Sequence, residues 1–146
     1  MPNYRKALKN YTTNAQVGKM LNDIQQMLAD AGATAVSFQY TNGKVSGIMF
    51  GIRLKEGENP VGTVVPLLTE NVAQVLKTQR YFKNDDHAYR VAIANVRDWL
   101  DAQLAMLATQ QVKIEQLFLP YMQTSTGKTV YELVKEQNVL GLPQGN

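Results

Sequence analysis

The stretch from Asp85 to Leu107 constrains the fold most, because its apolar residues recur with the period of an α-helix. Only a narrow stripe of the predicted helix is polar, holding Arg90, Arg97, Asp98 and Asp101. A helix that is apolar over so much of its circumference packs against two partners. We expect those partners to be a β-sheet and the last helices of the chain. Trp99 and the methionines fall on the apolar stripes, which is typical of packing residues.

Other helices are indicated by caps as well as by periodicity. Thr13, with Gln16 completing a capping box, predicts the start of a first helix that ends before Gly32. Thr69 is expected to cap a short helix. After the long helix, residues 112–121 predict a short amphipathic helix, and residues 129–137 predict the last one.

The pair Asn42-Gly43 lies between two β-rich runs and predicts a hairpin. A two-residue loop would place Val36 and Ile48 on opposite faces of the sheet. A three-residue loop pairs Tyr40 with Lys44 and unites the two apolar sets, so we favour it, with Gly43 left-handed in a bulge. The other face would then be nearly uncharged, carrying Ser37, Gln39, Val45, Gly47, Met49, Gly51 and Arg53. Residues 61–65 predict a third strand.

The order of these elements predicts an α+β fold: an N-terminal helix, a three-stranded antiparallel meander, then a long central helix and two or three shorter helices. The chain of 146 residues fits a single domain. We place that domain at residues 13–143, after an extended basic arm at residues 1–12 and before a frayed tail at residues 144–146. The apolar segment 139–143 is expected to dock on the domain.

Composition excludes several kinds of chemistry. The chain has no cysteine and a single histidine, His87, which rules out disulfides, thiol catalysis and a metal site with several histidines in one chain. We expect no cofactor and no bound metal. Charged residues make up 18% of the chain, below the average of about 25% for a soluble domain. A surface so short of charge is compatible with a homo-oligomer.

No catalytic residue is predicted. Asp85 and Asp86 lie where helix caps belong, and Asp98 and Asp101 share the polar stripe of the long helix. His87 is expected at the surface without a nucleophile beside it. The run from Gly127 to Thr129 resembles the end of a phosphate-binding loop but lacks the upstream glycine, so a helix start is the better interpretation. We therefore expect a non-enzymatic protein; an enzyme would require that oligomerisation assemble catalytic residues from several chains.

Basic residues interleaved with aromatic ones give the best indication of a partner. The net charge is +3, and four cations precede the first acidic residue, Asp23. The predicted contacts to nucleic acid lie in the arm, in the connector before the long helix, and on its polar stripe. They are Arg5, Lys6, Lys9, Lys77, Arg80, Tyr81, Lys83, Arg90 and Arg97.

The alternative is an oligomeric module that binds a protein or a small ligand through the neutral sheet face around Gly47, Met49 and Gly51. An inhibitor of host defence, with a host protein as its partner, would be one such module. No apolar segment is long enough for a leader or a membrane span, so we expect no membrane partner and a cytoplasmic location.

A resemblance adds a biological setting to these predictions. The runs Ala88–Ala92, Asp98–Leu100, Ala102–Ala105 and Phe118–Tyr121 resemble an uncharacterised family of small proteins encoded by bacteriophages and integrated mobile elements of bacteria. The similarity extends over about residues 11–122 and includes Tyr11-Thr12-Thr13 and Gly32-Ala33. It implies a phage or mobile-element protein in a bacterial host cell, with a role in DNA metabolism, transcription or counter-defence, and it implies no activity.

Overall fold

A computed structural model describes residues 4–141 and confirms the α+β architecture. The elements follow the predicted order. They are α1 (Val17–Asp30), β1 (Thr34–Thr41), β2 (Lys44–Ile52), β3 (Val61–Pro66), α2 (Thr69–Thr78), α3 (Asp85–Ala108), α4 (Ile114–Phe118), a short 3₁₀ helix (Leu119–Tyr121) and α5 (Val130–Gln137). The predicted frayed tail at residues 144–146 lies outside the described residues. Val139 and Leu140 are 60% and 71% exposed, so this part of the apolar tail is not docked as expected.

Helix α1 ends as predicted but begins later. Gly32 has φ +97°, and its N–H donates to Ala29 O while the N–H of Ala33 donates to Leu28 O. This pair of bonds satisfies two of the last carbonyls of the helix. The predicted cap at Thr13 is wrong, because the hydroxyl of Thr13 accepts from the N–H of Ala15 in a local turn and the helix starts only at Val17.

The hairpin has a two-residue loop, so the predicted three-residue loop is wrong. Asn42 and Gly43 have φ +52° and +79°, as a tight turn of this kind requires, and Thr41 pairs with Lys44. The two apolar sets are still united, because Tyr40 pairs with Val45 and Gln39 with Gly47, which leaves Ser46 as an extra residue in β2. This bulge shifts the register by one residue.

The bulge also moves Val45 to the inner face, which corrects its predicted place on the outer one. Val45 is 2% exposed and joins Ile48 and Phe50 in the core. Its N–H donates to the Tyr89 hydroxyl at 2.8 Å, a buried bond that ties the bulge to α3. The bulge therefore depends on a residue of the long helix for one of its backbone hydrogen bonds.

Helix α3 is the 24-residue central element, and it is buried only over its first two thirds. Its principal neighbours among the helices are α1 and α2, rather than the last helices as predicted. The last two turns emerge from the core, leaving Ala102 exposed and Met106 40% exposed. The helix is capped by Asn84, whose side chain accepts from the N–H of His87 at 2.8 Å. Asp85 and Asp86 occupy its first turn instead of the cap.

The segment after α3 closes the core at Trp99. The ring of Phe118 lies edge-on to Phe50 at 4.9 Å between centroids and to Trp99 at 6.2 Å. Met122 then forms an isolated bridge with Thr63 of β3. The segment that follows the 3₁₀ helix thus lies along the outer side of β3.

His87 is buried, 2% exposed, which corrects its predicted surface position. The residues one and two turns further along α3 on the same side, Val91 and Ala94, have no exposed surface, so this side of the helix faces the interior. Within residues 4–141, neither ring nitrogen of His87 has a hydrogen-bond partner. None of the helices described by the structure is both long enough and apolar enough to cross a membrane.

Candidate nucleic-acid interface

The basic segment before α1 is docked on the domain. Its backbone is irregular from residue 4 to residue 12 and lies beside the end of α2, where Gln79 holds it by two hydrogen bonds. The N–H of Leu8 donates to Gln79 Oε1 at 2.9 Å, and Gln79 Nε2 donates to the carbonyl of Lys6 at 2.8 Å. One glutamine side chain therefore sets the position of the basic arm.

Apolar contacts support this docking. Leu8 and Tyr11 pack on a small core between α2 and α3 that includes Leu76 and Val91, both fully buried. This second core is separate from the main one, which lies between the sheet, α1 and α3. Burying part of the Leu8 and Tyr11 side chains stabilises the docked arm. This contribution adds to the net free energy of the two hydrogen bonds to Gln79.

A polar network fixes the arm to α3 as well. Asn10 has φ +65°, and its Nδ2 donates to Asn95 Oδ1 and to Asp98 Oδ2, each at 2.9 Å. Partial burial works to raise the pKa of Asp98, but the hydrogen bond from Asn10 and the charges of Arg97 and Lys9 outweigh it and hold the pKa below its usual value. The Asp98 carboxylate is thus the negatively charged group of α3 that Asn10 and Lys9 of the arm contact.

The connector between α2 and α3 lies against the docked arm. The ring of Tyr81 contacts that of Tyr11 at 4.4 Å between centroids, and Tyr81 stays 41% exposed. Arg80 has φ +66°, which turns the chain sharply after α2. The ammonium group of Lys77 lies 4.7 Å from the ring centre of Phe82. The connector therefore combines exposed cations with one partly exposed aromatic ring.

The structure brings the arm next to the end of α2 and the connector, so the predicted cations of these two segments are neighbours through their backbones. We define the arm–connector surface as the exposed residues Arg5, Lys6, Lys77, Arg80, Tyr81 and Lys83. They come from two segments about 70 residues apart in the chain, joined through Gln79 and the Tyr11–Tyr81 contact.

Three predicted contact residues have other surroundings. Lys9 Nζ lies 3.5 Å from Asp98 Oδ2. Arg97 lies between Asp23 and Asp98, with N–O distances of 3.9 and 3.5 Å, and its side chain is 27% exposed. Arg90 is half-buried, and within residues 4–141 its inaccessible Nε has no hydrogen-bond partner. We leave these three residues out of the arm–connector surface.

The sequence gives no indication of which polar residues attach the arm. Asn10, Gln79 and Asn95 are ordinary surface residue types, and their partners lie 71 to 88 residues away along the chain. No periodicity or local spacing signals such pairs.

The predicted carboxylate pair belongs to a mixed-charge cleft between α1 and α3. Asp98 and Asp101 line it with Asp23, and Arg97 lies among them in a volume of about 350 Å³. Among the described residues, no carboxylate or histidine group is arranged to hold a metal ion. Two contacts cross or border this cleft: Arg97 of α3 lies 3.9 Å from Asp23 of α1, and Asp98 accepts from Asn10 of the arm.

The outer face of the sheet carries a second concavity. A groove of about 350 Å³ runs over Met49, Gly51, Gly62 and Val64. Added Cβ atoms would lie 2.9 Å from the side chain of Gln39 at Gly47 and 2.6 Å from that of Thr34 at Gly51. The predicted glycines thus give room to neighbouring side chains, and part of this face is covered by the chain itself.

Comparisons with known proteins give no family for this chain. No protein-family model, no curated protein and no solved structure matches it. The resemblance to phage and mobile-element proteins stays a prediction.

Proposed function

We propose that this protein is a non-enzymatic accessory protein that binds nucleic acid through the arm–connector surface. The observation that supports the proposal is the docking of the arm by Gln79, which holds one basic segment beside the other. Cations from both segments would contact successive phosphates of one strand.

The distribution of acidic residues supports this assignment. The arm and the connector contain no acidic residue, and the first carboxylates beyond the connector are Asp85 and Asp86 at the start of α3. Asp86 lies 3.0 Å from Lys44 Nζ, which offsets its charge. A polyanion approaching the arm–connector surface therefore meets an excess of positive charge.

The position of Tyr81 favours binding of single-stranded nucleic acid, in which the bases are accessible. Its ring is partly exposed and lies among the cations, and base–aromatic stacking tolerates any sequence. We infer a preference for single-stranded over double-stranded nucleic acid. The phage or mobile-element setting, with a role in DNA metabolism or transcription, follows from the resemblance alone and forms part of the proposal on that basis.

Charge reversal tests this function with a matched control. Arg80→Glu with Lys83→Glu reverses two cations of the surface, and Arg53→Glu with Lys55→Glu reverses two exposed cations in the loop before β3. Both doubles change the net charge equally. Fluorescence anisotropy with a labelled single-stranded oligonucleotide should show at least a tenfold loss of affinity for the first double only. Equal losses would mean that only net charge matters, and no loss in either would overturn the proposal.

The groove on the outer sheet face favours a second candidate, a small-ligand site. Its volume of about 350 Å³ falls in the range of ligand pockets, and the buried hydroxyl of Thr34 has no hydrogen-bond partner within residues 4–141. A small, largely neutral molecule that accepts or donates one hydrogen bond would fit. The alternative function, an oligomeric module that binds a protein or a small ligand, would use this groove. Its oligomeric form or a role against host defence would depend on what binds there.

A filling substitution tests the second candidate. Gly62 is exposed, and an added Cβ would meet only the Gln123 side chain at 3.3 Å, so Gly62→Val narrows the groove with little strain. Fragments that raise the melting temperature of the wild type should fail to raise that of Gly62→Val. A fragment set that leaves the wild-type melting temperature unchanged would exclude this candidate.

A further inference from the structure

The outer edge of β1 is an open sheet edge. Within residues 4–141, β1 pairs only with β2, whereas β3 has further contacts on its own outer side, where the N–H of Gln123 donates to Gly62 O at 2.8 Å. An open edge presents unpaired N–H and C=O groups to any strand that approaches it.

The hairpin geometry fixes which residues face that edge. Thr41 and Lys44 flank a two-residue turn and exchange backbone hydrogen bonds, so Thr41 points its N–H and C=O toward β2. Alternation along the strand then directs the N–H and C=O groups of Val36, Phe38 and Tyr40 outward. At the other end, the register shift at Ala35, with φ +50°, interrupts the strand. The usable edge is therefore the stretch from Val36 to Tyr40, centred on Phe38.

This edge lacks the features that usually prevent strands from pairing at an edge. From Ala31 to Gly43 the chain has no charged residue and no proline. Lysines or prolines normally keep exposed edge strands apart. Tyr40 is 61% exposed, which is high for an aromatic residue of a strand.

We propose that two copies of this protein pair through β1 in an antiparallel, two-fold symmetric dimer centred on Phe38. In that register Phe38 faces Phe38 of the second copy, and Val36 faces Tyr40 of the second copy. All three outward-facing residues then exchange backbone hydrogen bonds, which no other register achieves before the interruption at Ala35. The two three-stranded sheets become one six-stranded sheet.

The choice of a second copy as partner rests on self-complementarity. The pairing of Val36 with Tyr40 joins a β-branched side chain to an aromatic one, a favourable cross-strand pair, and it occurs twice by symmetry. An uncharged edge meets an identical uncharged edge without repulsion. The contact lies at the low end of interface size, so we expect a dimer with a dissociation constant in the micromolar range.

Charge pairs on the outer face test both the contact and its register. Ser37 and Gln39 are exposed, and in the proposed register Ser37 lies opposite Gln39 of the second copy. Ser37→Lys with Gln39→Lys places like charges opposite each other and should weaken the dimer about tenfold or more. Ser37→Glu with Gln39→Lys places opposite charges there and should keep the dimer.

Sedimentation equilibrium up to about 100 µM chain measures the outcome, with circular dichroism to verify that each variant is folded. A wild type that stays monomeric over this range would overturn the proposal. So would a Lys/Lys variant that dimerises as well as the wild type, because the contact would then lie elsewhere. A Glu/Lys variant as weak as the Lys/Lys variant would overturn the register.

Disulfide trapping reads the register directly, since the chain has no cysteine of its own. An equimolar mixture of Ser37→Cys and Gln39→Cys chains should form the mixed disulfide, because these residues would be a close non-hydrogen-bonded pair about 4.5 Å apart at Cα. Each variant alone should crosslink at least tenfold more slowly. Faster crosslinking of Ser37→Cys alone would place the two-fold axis at Ser37 and contradict the proposed centre.

Discussion

At the scale of the residue, the Asp98 carboxylate joins three parts of the molecule. It accepts from Asn10 of the arm and lies near Lys9 and Arg97. Its pKa in the folded protein lies below that of the unfolded chain, so it contributes stability above about pH 4 that is lost as the pH falls through the folded pKa.

Replacing this carboxylate should therefore have a pH-dependent cost. Asp98→Asn keeps the shape and an acceptor oxygen but removes the charge, and we expect it to lower the free energy of unfolding at pH 7 by about 1 kcal/mol. Urea denaturation at pH 7 and at about pH 3 measures the difference, which should shrink at the lower pH. A difference that is equal at both pH values would contradict the charge-based account.

The hydroxyl of Tyr89 has a structural role at the hairpin bulge. It accepts from the buried N–H of Val45 at 2.8 Å, so a variant without the hydroxyl takes this partner away from the N–H. Tyr89→Phe should lower the free energy of unfolding by about 1–3 kcal/mol. Tyr131 is 58% exposed, so Tyr131→Phe provides a control that should leave stability unchanged. A Tyr89→Phe variant as stable as the wild type would show that the bulge does not need this bond.

At the scale of the element, α3 has a buried part and an emergent part. Leu100 is 1% exposed and Met106 is 40% exposed, although both fall on the apolar stripes of the same helix. Periodicity predicts that the stripes exist, but it does not predict where along the helix the neighbouring elements end.

This division predicts unequal costs for truncating side chains along one helix. Leu100→Ala should lower the free energy of unfolding by about 2–5 kcal/mol because it leaves a cavity. Met106→Ala should change it by no more than about 0.5 kcal/mol. Urea denaturation of both variants measures the contrast, and comparable losses would mean that the last turns of α3 are covered.

The hairpin shows a limit of inference from patterns. The requirement that Val36 and Ile48 share a face is correct, but a longer loop and a bulge in the strand satisfy it equally well. Asn42-Gly43 favours the two-residue turn, and a bulge inside β2 leaves no distinct mark in the sequence. His87 illustrates the same limit, since a lone polar residue at the start of a helix does not report which neighbour covers it.

At the scale of the whole molecule, the arm and the connector are neighbours because the arm is docked. The sequence predicts the two basic segments, but the contact between them depends on Gln79 and on side chains far apart in the chain. A free arm would spread the same cations over a larger volume and lose more entropy on binding.

Releasing the arm without removing a charge should therefore weaken binding. Gln79→Ala removes both bonds to the arm, and we expect faster tryptic cleavage after Lys6 and Lys9, by about tenfold, together with weaker oligonucleotide binding. Gln74→Ala, an exposed glutamine-to-alanine change in α2 that also keeps the net charge, serves as the control. Unchanged cleavage in Gln79→Ala would show that the apolar contacts of Leu8 and Tyr11 hold the arm by themselves.

The salt dependence of binding tests the central claim most directly, because it reports the number of phosphates that the surface neutralises. With the five cations of the arm–connector surface on one single strand, log K should fall with log salt concentration at a slope of about −3.5. Arg5→Ala with Lys6→Ala and Arg80→Ala with Lys83→Ala should each reduce the steepness by about 1.4. Binding that does not depend on salt would contradict a shared surface. So would a slope that stays the same in either double variant.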